Sequence, residues 1–391
     1  MKVLFITGRL HPSPLGGTGT MLVNLVNALS EDGAMDISVL GSLSNKESID
    51  AIRCCFHKAV HFEGCVTPGK DDEIGDLLSM QYHYLRRISD LRKNYDIIHF
   101  NILPGLRSFL LLNFLRTNNN RCKFVLNIHD LPSYEIGQYT ESTINKVGVW
   151  IHWSLALSQL SKFNEIVVNS TFMQDQVLNL GIPSSRLIII PNGINIDDYV
   201  KFKHSNKNSD RIVCPNKVFY PKKGQDLLIR AFAESNCRKV SKLYLIGQGE
   251  TKFKKYCLEL VREFKLEGRV TFVDFLSKRE LMNVIRNSSF CVFPSLYEGF
   301  GITILEAMAC GKPIISTCFG GPNDFIIDGK NGLLVNPRDI KSMSVALDSL
   351  AISLVKRSEI GRQASLTARE FSWKTISQKY ISVYNRVLDT T

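Results

Sequence analysis

Two glutamates, Glu298 and Glu306, have the chemistry to hold a ligand that carries neighbouring hydroxyl groups. Seven residues separate them in the segment PSLYEGFGITILEAMACGKPII, which covers residues 294–315. A carboxylate has two acceptor oxygens and can therefore pair with two vicinal hydroxyls of a sugar ring. Glu306 lies within an apolar run, where a carboxylate needs a partner because burying an unpaired charge is unfavourable. Taken alone, each glutamate could equally be a solvated surface charge, but the pair in this setting predicts a site for two sugar rings.

Glycine-rich turns surround the first of these glutamates and precede a predicted helix. Gly299 and Gly301 allow the backbone to approach a ligand closely, because glycine has no side chain. The first amides of the following helix have no partner within the helix and can bind anionic oxygens. We therefore predict that the amides of Phe300, Gly301 and Ile302 face the ligand.

Five further positions lie where predicted strands end or helices begin. Lys217 and Lys223 supply positive charge after one strand, and Gly249 belongs to a Gly-Gln-Gly turn after the next. His129 follows an apolar strand of the first half, and Gly17 lies in a Leu-Gly-Gly-Thr-Gly turn before a helix. Ligands of parallel sheets bind at the carboxyl ends of strands, so these positions are candidate binding residues. Taken singly, a glycine turn is equally an ordinary connection, and a lone histidine is more often a packed or surface residue.

The segment 294–315 resembles the Glu-x7-Glu signature of the family-4 retaining glycosyltransferases (glycosyl transferases group 1), which have the GT-B fold. The turn Pro-Asn-Gly-Ile-Asn at 191–195 and the basic segment at 217–224 resemble further motifs of that family, in the same order. The resemblance implies that Glu306 holds the ribose of a nucleotide and that Glu298 holds the donor sugar. The sequence departs from the family pattern at one position, where a lysine stands in place of the arginine that clamps the diphosphate.

The resemblance also implies roles for the other candidate residues. Lys217, in place of the family's arginine, and Lys223 clamp the donor diphosphate, and the amide of Gly17 faces it. Gly249 lies in the family's glycine turn beside the donor. His129 contacts the transferred sugar near its reacting carbon.

The implied reaction moves a hexose from a nucleoside diphosphate sugar, UDP- or GDP-linked, to a hydroxyl of a glycan or lipid-linked acceptor, and it retains the anomeric configuration. His129, Glu298 and Lys223 are the expected catalytic residues. The sequence has no Asp-x-Asp motif and no cluster with metal-ligand spacing, so we expect neither a metal nor a cofactor. The implied role is the biosynthesis of surface polysaccharide, lipopolysaccharide or glycolipid.

The composition is that of a soluble globular protein. The chain has 391 residues, of which 44% are hydrophobic and 22% charged, and this length predicts two domains. No run reaches the roughly 18 apolar residues that span a bilayer, and the apolar run Val3–Thr7 is too short for a secretory signal. The ten cysteines form no Cys-x-x-Cys pair. We therefore expect a cytoplasmic protein with reduced thiols.

Short apolar segments alternate with segments of helical periodicity, which is typical of parallel sheets built from βαβ units. The predicted strands are Val3–Thr7, Ile37–Leu40, Ile97–Asn101, Phe124–Ile128, Glu165–Val168, Leu187–Ile190, Arg211–Cys214, Lys242–Ile246, Val270–Val273, Phe290–Phe293 and Pro313–Ser316. The predicted helices include Thr20–Leu29, Phe172–Leu180, Gln225–Glu234, Lys252–Lys265, Arg279–Arg286, Ile302–Ala309 and Trp373–Leu388. This pattern predicts an α/β protein with two doubly wound, Rossmann-like domains that face each other across a cleft.

We place an acceptor-binding domain at residues 1–195 and a nucleotide-sugar-binding domain at residues 196–370. Residues 371–391 are expected to form a C-terminal helix that packs back on the first domain. The boundary near residue 196 coincides with a polar stretch rich in Lys, Asn and Ser, which is typical of a linker.

The net charge of +11 arises entirely in the second half, where residues 196–391 contain 31 Lys and Arg against 20 Asp and Glu. Such a surplus favours an anionic ligand, and a nucleotide fits. A non-enzymatic nucleic-acid-binding protein is one alternative, although no nucleic-acid motif is present and we expect no such partner. A sugar phosphorylase or a nucleotide-sugar epimerase on the same scaffold is the other alternative.

Two segments of the first half have the composition for contact with a membrane. Residues 81–95 combine arginines with tyrosine, leucine and isoleucine, which suits an anionic lipid surface. An ordinary amphipathic surface helix would have the same composition. Residues 103–115 are apolar but too short to span a bilayer. Contact through either segment would place the protein peripherally on the inner face of the cytoplasmic membrane, next to a lipid-linked acceptor.

Overall fold

The computed structural model describes residues 1–10, 17–31, 33–43, 47–66, 95–101, 112, 122–131, 154, 157–200, 209–248 and 252–389. Contacts between Cα atoms divide the chain into two compact units. The first consists of Met1–Gly193 with Trp373–Thr391, and the second of Ile194–Ser372. Each unit is built on one parallel sheet with flanking helices.

A 7-stranded sheet forms the centre of the first unit, in the order β3-β2-β1-β4-β5-β6-β7. In chain order its elements are β1 (Lys2–Arg9), α1 (Gly17–Ser30), β2 (Asp36–Leu43), α2 (Glu47–Arg53), β3 (His61–Val66), β4 (Ile97–Phe100), β5 (Lys123–Ile128), β6 (Glu165–Val168), α3 (Thr171–Leu178) and β7 (Leu187–Ile189). All neighbouring strands are parallel. Every residue of β4 and β6 is buried, as expected for central strands of a sheet covered on both faces.

A 6-stranded sheet forms the centre of the second unit, in the order β10-β9-β8-β11-β12-β13. Its elements are α4 (Asp197–Val200), β8 (Arg211–Val218), α5 (Gln225–Glu234), β9 (Lys242–Gln248), α6 (Lys252–Glu263), β10 (Val270–Val273), α7 (Lys278–Arg286), β11 (Phe290–Phe293), α8 (Ile302–Ala309), β12 (Ile314–Thr317), β13 (Leu333–Val335), α9 (Ile340–Ile352) and α10 (Leu354–Arg369). The last helix, α11 (Trp373–Asp389), belongs to the first unit.

Helix α11 completes the core of the first unit. Trp373, Tyr380 and Tyr384 on this helix are buried in the same hydrophobic cluster as α1 and β1. At its start, a side chain at Gly193 would collide with the Trp373 ring, because a Cβ there would lie 2.5 Å from it. Near its end, Arg386 pairs with Glu165 of β6 at 2.7 Å. The unit is therefore formed from both ends of the chain.

The strand orders confirm the predicted α/β class with two doubly wound parallel sheets. In each sheet the winding direction reverses once, between β1 and β4 in the first and between β8 and β11 in the second. Ligands of doubly wound sheets bind at the carboxyl ends of the strands beside such a reversal. The loop that carries Glu298 follows β11, and the turn that carries Lys223 follows β8.

Some element boundaries differ from the prediction. Strand β8 continues to Val218, so Lys217 has its backbone in the strand and not in the loop after it. The pairing of β8 with β9 shifts register between Pro215 and Val218, just after the end of the predicted strand Arg211–Cys214. In the part of the chain that the structure describes, no helix is long and apolar enough to cross a membrane.

Candidate active site

Glycine conformations shape the loop that follows β11. Gly301 has φ +93° and caps the start of α8, a left-handed conformation that other residues rarely adopt. Gly320 has φ +109°, and a Cβ at this position would lie 2.3 Å from the carbonyl oxygen of Glu298. The amide of Gly321 donates to that same oxygen at 2.8 Å. The backbone of Glu298 is therefore held against a second loop that only glycine can bring so close.

Glu298 is the centre of a compact charged group. The Nζ of Lys223 lies 2.7 Å from its Oε1, and the hydroxyl of Ser295 donates to the same oxygen at 2.6 Å. Burial by itself raises the pKa of Glu298, but the nearby Lys223 ammonium, the Ser295 hydroxyl and the charge of Lys222 together lower it below the usual value. Glu298 is therefore ionised at neutral pH and oriented by two neighbours.

The two lysines of this region lie on one short turn that is joined to the glutamate loop. Lys222 and Lys223 close a 3-10 helix, Pro221–Lys223, which the left-handed Gly224 ends. The Nζ of Lys222 lies 4.0 Å above the centre of the Tyr297 ring, a cation–π contact. The backbone carbonyl oxygen of Lys222 accepts a hydrogen bond from the amide of Leu296 at 2.8 Å. The turn and the loop thus form one structure.

Glu306 lies on α8 and has a partner that the sequence did not indicate. The hydroxyl of Tyr199, on α4, donates to its Oε1 at 2.8 Å. Tyr199 is buried, and burial together with the charge of Glu306 raises the pKa of Tyr199 well above its usual value, so the hydroxyl keeps its proton. The partner that we expected for an acid in this apolar run is therefore the phenol of Tyr199.

His129 lies in the first unit, directly after β5. Its Nε2 is 3.0 Å from Oδ1 of Asn101, and its backbone carbonyl accepts Nδ2 of Asn169 at 3.1 Å. Burial lowers the pKa of His129 to about 4, so its ring is neutral at neutral pH. His129 lines a narrow recess together with Asn192 and Tyr380. His129 is thus a neutral, hydrogen-bonded imidazole at the carboxyl edge of the first sheet.

The structure brings together some of the predicted residues within the second unit. Lys223 and Glu298 are in direct contact. The buried Phe300 precedes Gly301, which caps α8, and the half-buried Ile302 is the first residue of that helix.

The other predicted site residues are described only in part or lie outside the described residues. Gly17 is the first residue of α1, and Lys217 is described only by its backbone in β8. Gly249 lies outside the described residues, as do residues 81–94 of the proposed membrane segment 81–95 and all of 103–115 except Leu112. Within the described residues no group of three or more His, Cys, Asp or Glu could hold a metal ion.

Three residues of the site were missed from the sequence: Tyr199, Ser295 and Asn101. Ser295 lies three residues before Glu298, and its place in the same loop was the available signal. Tyr199 lies 107 positions from Glu306, and Asn101 lies 28 positions from His129. No short-range pattern connects such pairs, because only the packing of separate elements brings them together.

Comparison with known proteins gives family matches for both parts of the chain. Residues 15–198 match the model described as Glycosyltransferase Family 4, and residues 197–366 match Glycosyl transferases group 1. An uncharacterized glycosyltransferase of Methanocaldococcus jannaschii is 30% identical over 58% of this chain and 60% of its own length, so the match spans less than two thirds of that relative. A second one from the same organism is 24% identical over 100% of this chain and 99% of its own. The O-antigen biosynthesis glycosyltransferase WclY of Escherichia coli is 25% identical over 81% of this chain and 87% of its own.

Solved structures share the fold along the whole chain. HepE of Anabaena in complex with UDP has a TM-score of 0.75 and 20% identity, covering 99% of this chain and 100% of its own. Sucrose-phosphate synthase from Thermosynechococcus elongatus has a TM-score of 0.82 and 18% identity, covering 100% of both chains. At these identities the likeness shows the fold alone, which is that of two Rossmann-like domains.

Proposed function

The chain belongs to the glycosyltransferases of family 4 and group 1, and on that premise we propose that it transfers a hexose from a nucleoside diphosphate sugar to a hydroxyl of a glycan or glycolipid, with retention of the anomeric configuration. One observation carries the proposal. Glu298 is held ionised between Lys223 and Ser295, eight residues before the half-buried Glu306. This arrangement supplies two carboxylates for hydroxyl groups from one loop and helix, and an ammonium for a diphosphate from the adjoining turn.

We propose that Lys223 and the start of α8 bind the departing diphosphate. Negative charge develops on this group as the bond to the sugar breaks, and preorganised positive groups stabilise that charge most effectively. The Lys223 ammonium carries three protons, and one of them reaches Glu298, so further protons are available for phosphate oxygens. The first amides of α8, after Gly301, have no partner in the helix ladder and add to this stabilisation. Lys217 and Gly17 are proposed to contact the same group.

We assign the nucleotide ribose to Glu306 and the donor sugar to Glu298. A carboxylate accepts hydrogen bonds from neighbouring hydroxyls, and both sugar rings carry such pairs. The Tyr199 hydroxyl orients Glu306 by its 2.8 Å hydrogen bond. Glu298 is engaged with an ammonium and a hydroxyl, so it is suited to bind the sugar and less suited to attack carbon as a nucleophile. We therefore propose attack from the face that the phosphate leaves, without a covalent intermediate on a carboxylate.

His129 is assigned to the transferred sugar near its reacting carbon. Its ring is neutral, because burial lowers its pKa to about 4. A neutral imidazole acts through the lone pair of one nitrogen and the N–H of the other, so it can orient a sugar hydroxyl. If His129→Ala left turnover unchanged, this role would be lost.

UDP-linked sugars are the first donors to test, and GDP-linked sugars the second. HepE of Anabaena was solved with UDP and with UDP-glucose, which supports this order. The match to an O-antigen biosynthesis glycosyltransferase supports an acceptor in surface polysaccharide synthesis. A peripheral position on the inner face of the cytoplasmic membrane is part of the same proposal.

A panel of UDP-, GDP- and ADP-sugars, scored by thermal shift of the purified protein, tests the proposal. We expect stabilisation by the sugars of one base, loss of that shift in Glu306→Ala, and a wild-type shift in Glu267→Ala, which changes an exposed glutamate of the same unit. The proposal fails if no nucleotide sugar shifts the melting temperature while nucleic acid binds with steep salt dependence.

A further inference from the structure

A line of buried polar side chains runs beneath His129 in the first unit. The hydroxyl of Tyr380 lies 3.3 Å from Oδ1 of Asn127, and Nδ2 of Asn127 lies 3.4 Å from Oδ1 of Asn101. That same Oδ1 is 3.0 Å from Nε2 of His129. Tyr380, Asn127 and Asn101 are each at least 98% buried. The line therefore starts on helix α11 and ends at the imidazole.

The direction of these hydrogen bonds determines which ring nitrogen of His129 carries the proton. The amide oxygen of Asn101 accepts from Asn127, and an amide oxygen has no hydrogen to give. The His129 nitrogen that contacts it must therefore be the donor, so Nε2 is protonated. In a neutral imidazole the other nitrogen, Nδ1, is then the acceptor.

The opposite arrangement requires every group in the line to change at once. If Asn101 turned its amide nitrogen toward His129, that nitrogen would also meet the amide nitrogen of Asn127, donor against donor. Asn127 would have to turn as well and donate to the oxygen of Tyr380. The reversed line would leave His129 protonated on Nδ1. The two arrangements thus predict opposite tautomers of one ring, which makes them distinguishable by experiment.

The polar groups of this core are poorly explained by stability alone. Among the described residues, Nδ2 of Asn101 is buried without a hydrogen-bond partner. A buried donor without a partner destabilises a fold, and an apolar core of the same shape would avoid that loss. Their presence beside His129 favours a role in orienting it.

We propose that Asn101 is a positioning residue, oriented by Asn127 and Tyr380, that holds His129 protonated on Nε2 so that Nδ1 accepts a hydroxyl hydrogen of the bound sugar. The contact with the sugar rests on the proposed function, whereas the tautomer does not. The proton of the sugar hydroxyl stays on its oxygen, and no bond is made or broken by these residues. Because Tyr380 lies on α11, this helix helps to fix the tautomer of the His129 imidazole, which follows β5.

The test is nitrogen-15 NMR of the full-length protein labelled in histidine, with His129→Gln used to assign the His129 signals among the eight histidines. We expect the wild-type protein to show His129 protonated on Nε2 at neutral pH. Asn101→Leu should lose this preference, and Asn101→Asp, which keeps an acceptor oxygen, should restore it. Ser377→Ala removes a hydroxyl from the same helix outside the line and should leave the signals unchanged.

Kinetics with the nucleotide sugar supply the second readout. Asn101→Leu and Tyr380→Phe should lower kcat on the order of tenfold to a hundredfold, with a smaller change in KM for the donor, because a misplaced group costs rate more than affinity. Ser377→Ala should keep wild-type kinetics. An unchanged kcat in His129→Ala would overturn the contact with the sugar while leaving the donor thermal shift intact, so it would not contradict glycosyl transfer itself.

The wild-type spectrum decides the tautomer even if a variant fails to fold. Protonation on Nδ1 in the wild-type protein would overturn the proposal, because it would mean that the line runs in the reverse direction. An Asn101→Leu protein that folds and keeps the Nε2–H form would overturn it as well.

Discussion

Tyr199 and Glu306 meet across 107 positions of sequence, and their contact explains how a carboxylate is tolerated in an apolar helix. A hydrogen bond to a charged group contributes about 1.5–3 kcal/mol. The phenol is buried and keeps its proton, so it donates a hydrogen bond to the Glu306 carboxyl group. At the scale of single residues, then, the site depends on neighbours that have no catalytic chemistry of their own.

Tyr199→Phe should raise KM for the nucleotide sugar by about three- to tenfold and leave kcat near the wild-type value. The reason is that Glu306 is assigned to the ribose, away from the reacting carbon, so its orientation affects donor binding more than the chemical step. Initial-rate kinetics with varied donor measure both constants. Tyr256→Phe, which removes an exposed hydroxyl that binds Arg230, is the matched control. A fall in kcat without a change in KM would contradict the assignment of Glu306.

The histidines of the first unit should make its stability depend on acidity. Burial lowers the pKa of His99 to about 3 and that of His129 to about 4, from an ordinary value of 6.5. Between pH 6.5 and 4 the unfolded chain takes up protons that the folded chain does not, so the free energy of unfolding falls as pH falls. Each histidine should contribute on the order of 1 kcal/mol per pH unit in this window.

Urea unfolding at several pH values measures this dependence. His99→Gln removes one of these two imidazoles, so the variant should lose stability less steeply than the wild-type protein between pH 6.5 and 4. Equal slopes in the two proteins would show that His99 is not held neutral in the folded state.

At the scale of elements, the loop after β11 owes its shape to a second loop that only glycine can bring close. Gly320→Ala should destabilise the protein by about 2 kcal/mol or more, because it adds a clash with the Glu298 carbonyl to an unfavourable φ of +109°. It should also weaken donor binding, since Glu298 would be displaced. Urea unfolding and thermal shift with the nucleotide sugar measure the two effects.

Gly329→Ala is the matched control for this variant. Gly329 also has a positive φ, +73°, but no atom lies within 4 Å of a Cβ placed there. It should therefore show only the smaller conformational cost and keep donor binding. If both variants lost the same stability and the same affinity, the close approach at Gly320 would have no part in shaping the site.

Most strands could be predicted from the sequence, including the edge strands β7 and β10, whereas the edge strands β3 and β13 could not. Strands β1, β4, β5 and β6 occupy the centre of their sheet, are buried, and have continuous apolar runs. Strands β3 and β13 also lie at sheet edges, each paired on one side only. Strand β3 contains Glu63 and Gly64, and β13 is only three residues long, so neither segment stands out as a strand in the sequence.

Helix α10 was missed for a related reason. Leu354 and Val355 are exposed at its start and Leu366 near its end, so apolar residues do not follow one face. Gly361 lies in its interior, where glycine lowers helix propensity, yet it packs so tightly that a Cβ would lie 2.3 Å from the Gly311 carbonyl. The buried face of this helix consists of Ile360, Gly361, Ala364 and Ala368, mostly small residues, so its apolar pattern is weak in the sequence.

Some residues of the candidate site could also be predicted from the sequence, and others could not. Glu298, Glu306 and the start of α8 lie within one short segment, so spacing and residue type were sufficient to single them out. Tyr199 and Asn101 come from other elements, and no local pattern connects them with the residues they orient. Composition and spacing thus identify the groups with chemical function, whereas the groups that position them require the fold.

At the scale of the whole molecule, the chain builds two similar units and uses them differently. In both sheets the first three strands run outward in one direction, and the fourth strand lies on the other side of the first. Both sheets carry candidate residues at the carboxyl ends of their strands. The charged residues of the site lie in the second unit and a neutral histidine lies in the first. The surplus of Lys and Arg after residue 195 suits the proposal that the second unit binds a diphosphate.

Glycosyl transfer with retention can be tested directly by proton NMR of slow donor hydrolysis by the purified protein, using the α-linked nucleotide sugar that gives the largest thermal shift. We predict that free sugar appears first as the α-anomer together with the nucleoside diphosphate. The rate should fall on the order of a hundredfold or more in Lys223→Ala and stay unchanged in Lys330→Ala, which alters an exposed lysine of the same unit. A β-anomer as the first product, or an equal rate in Lys223→Ala, would contradict the account.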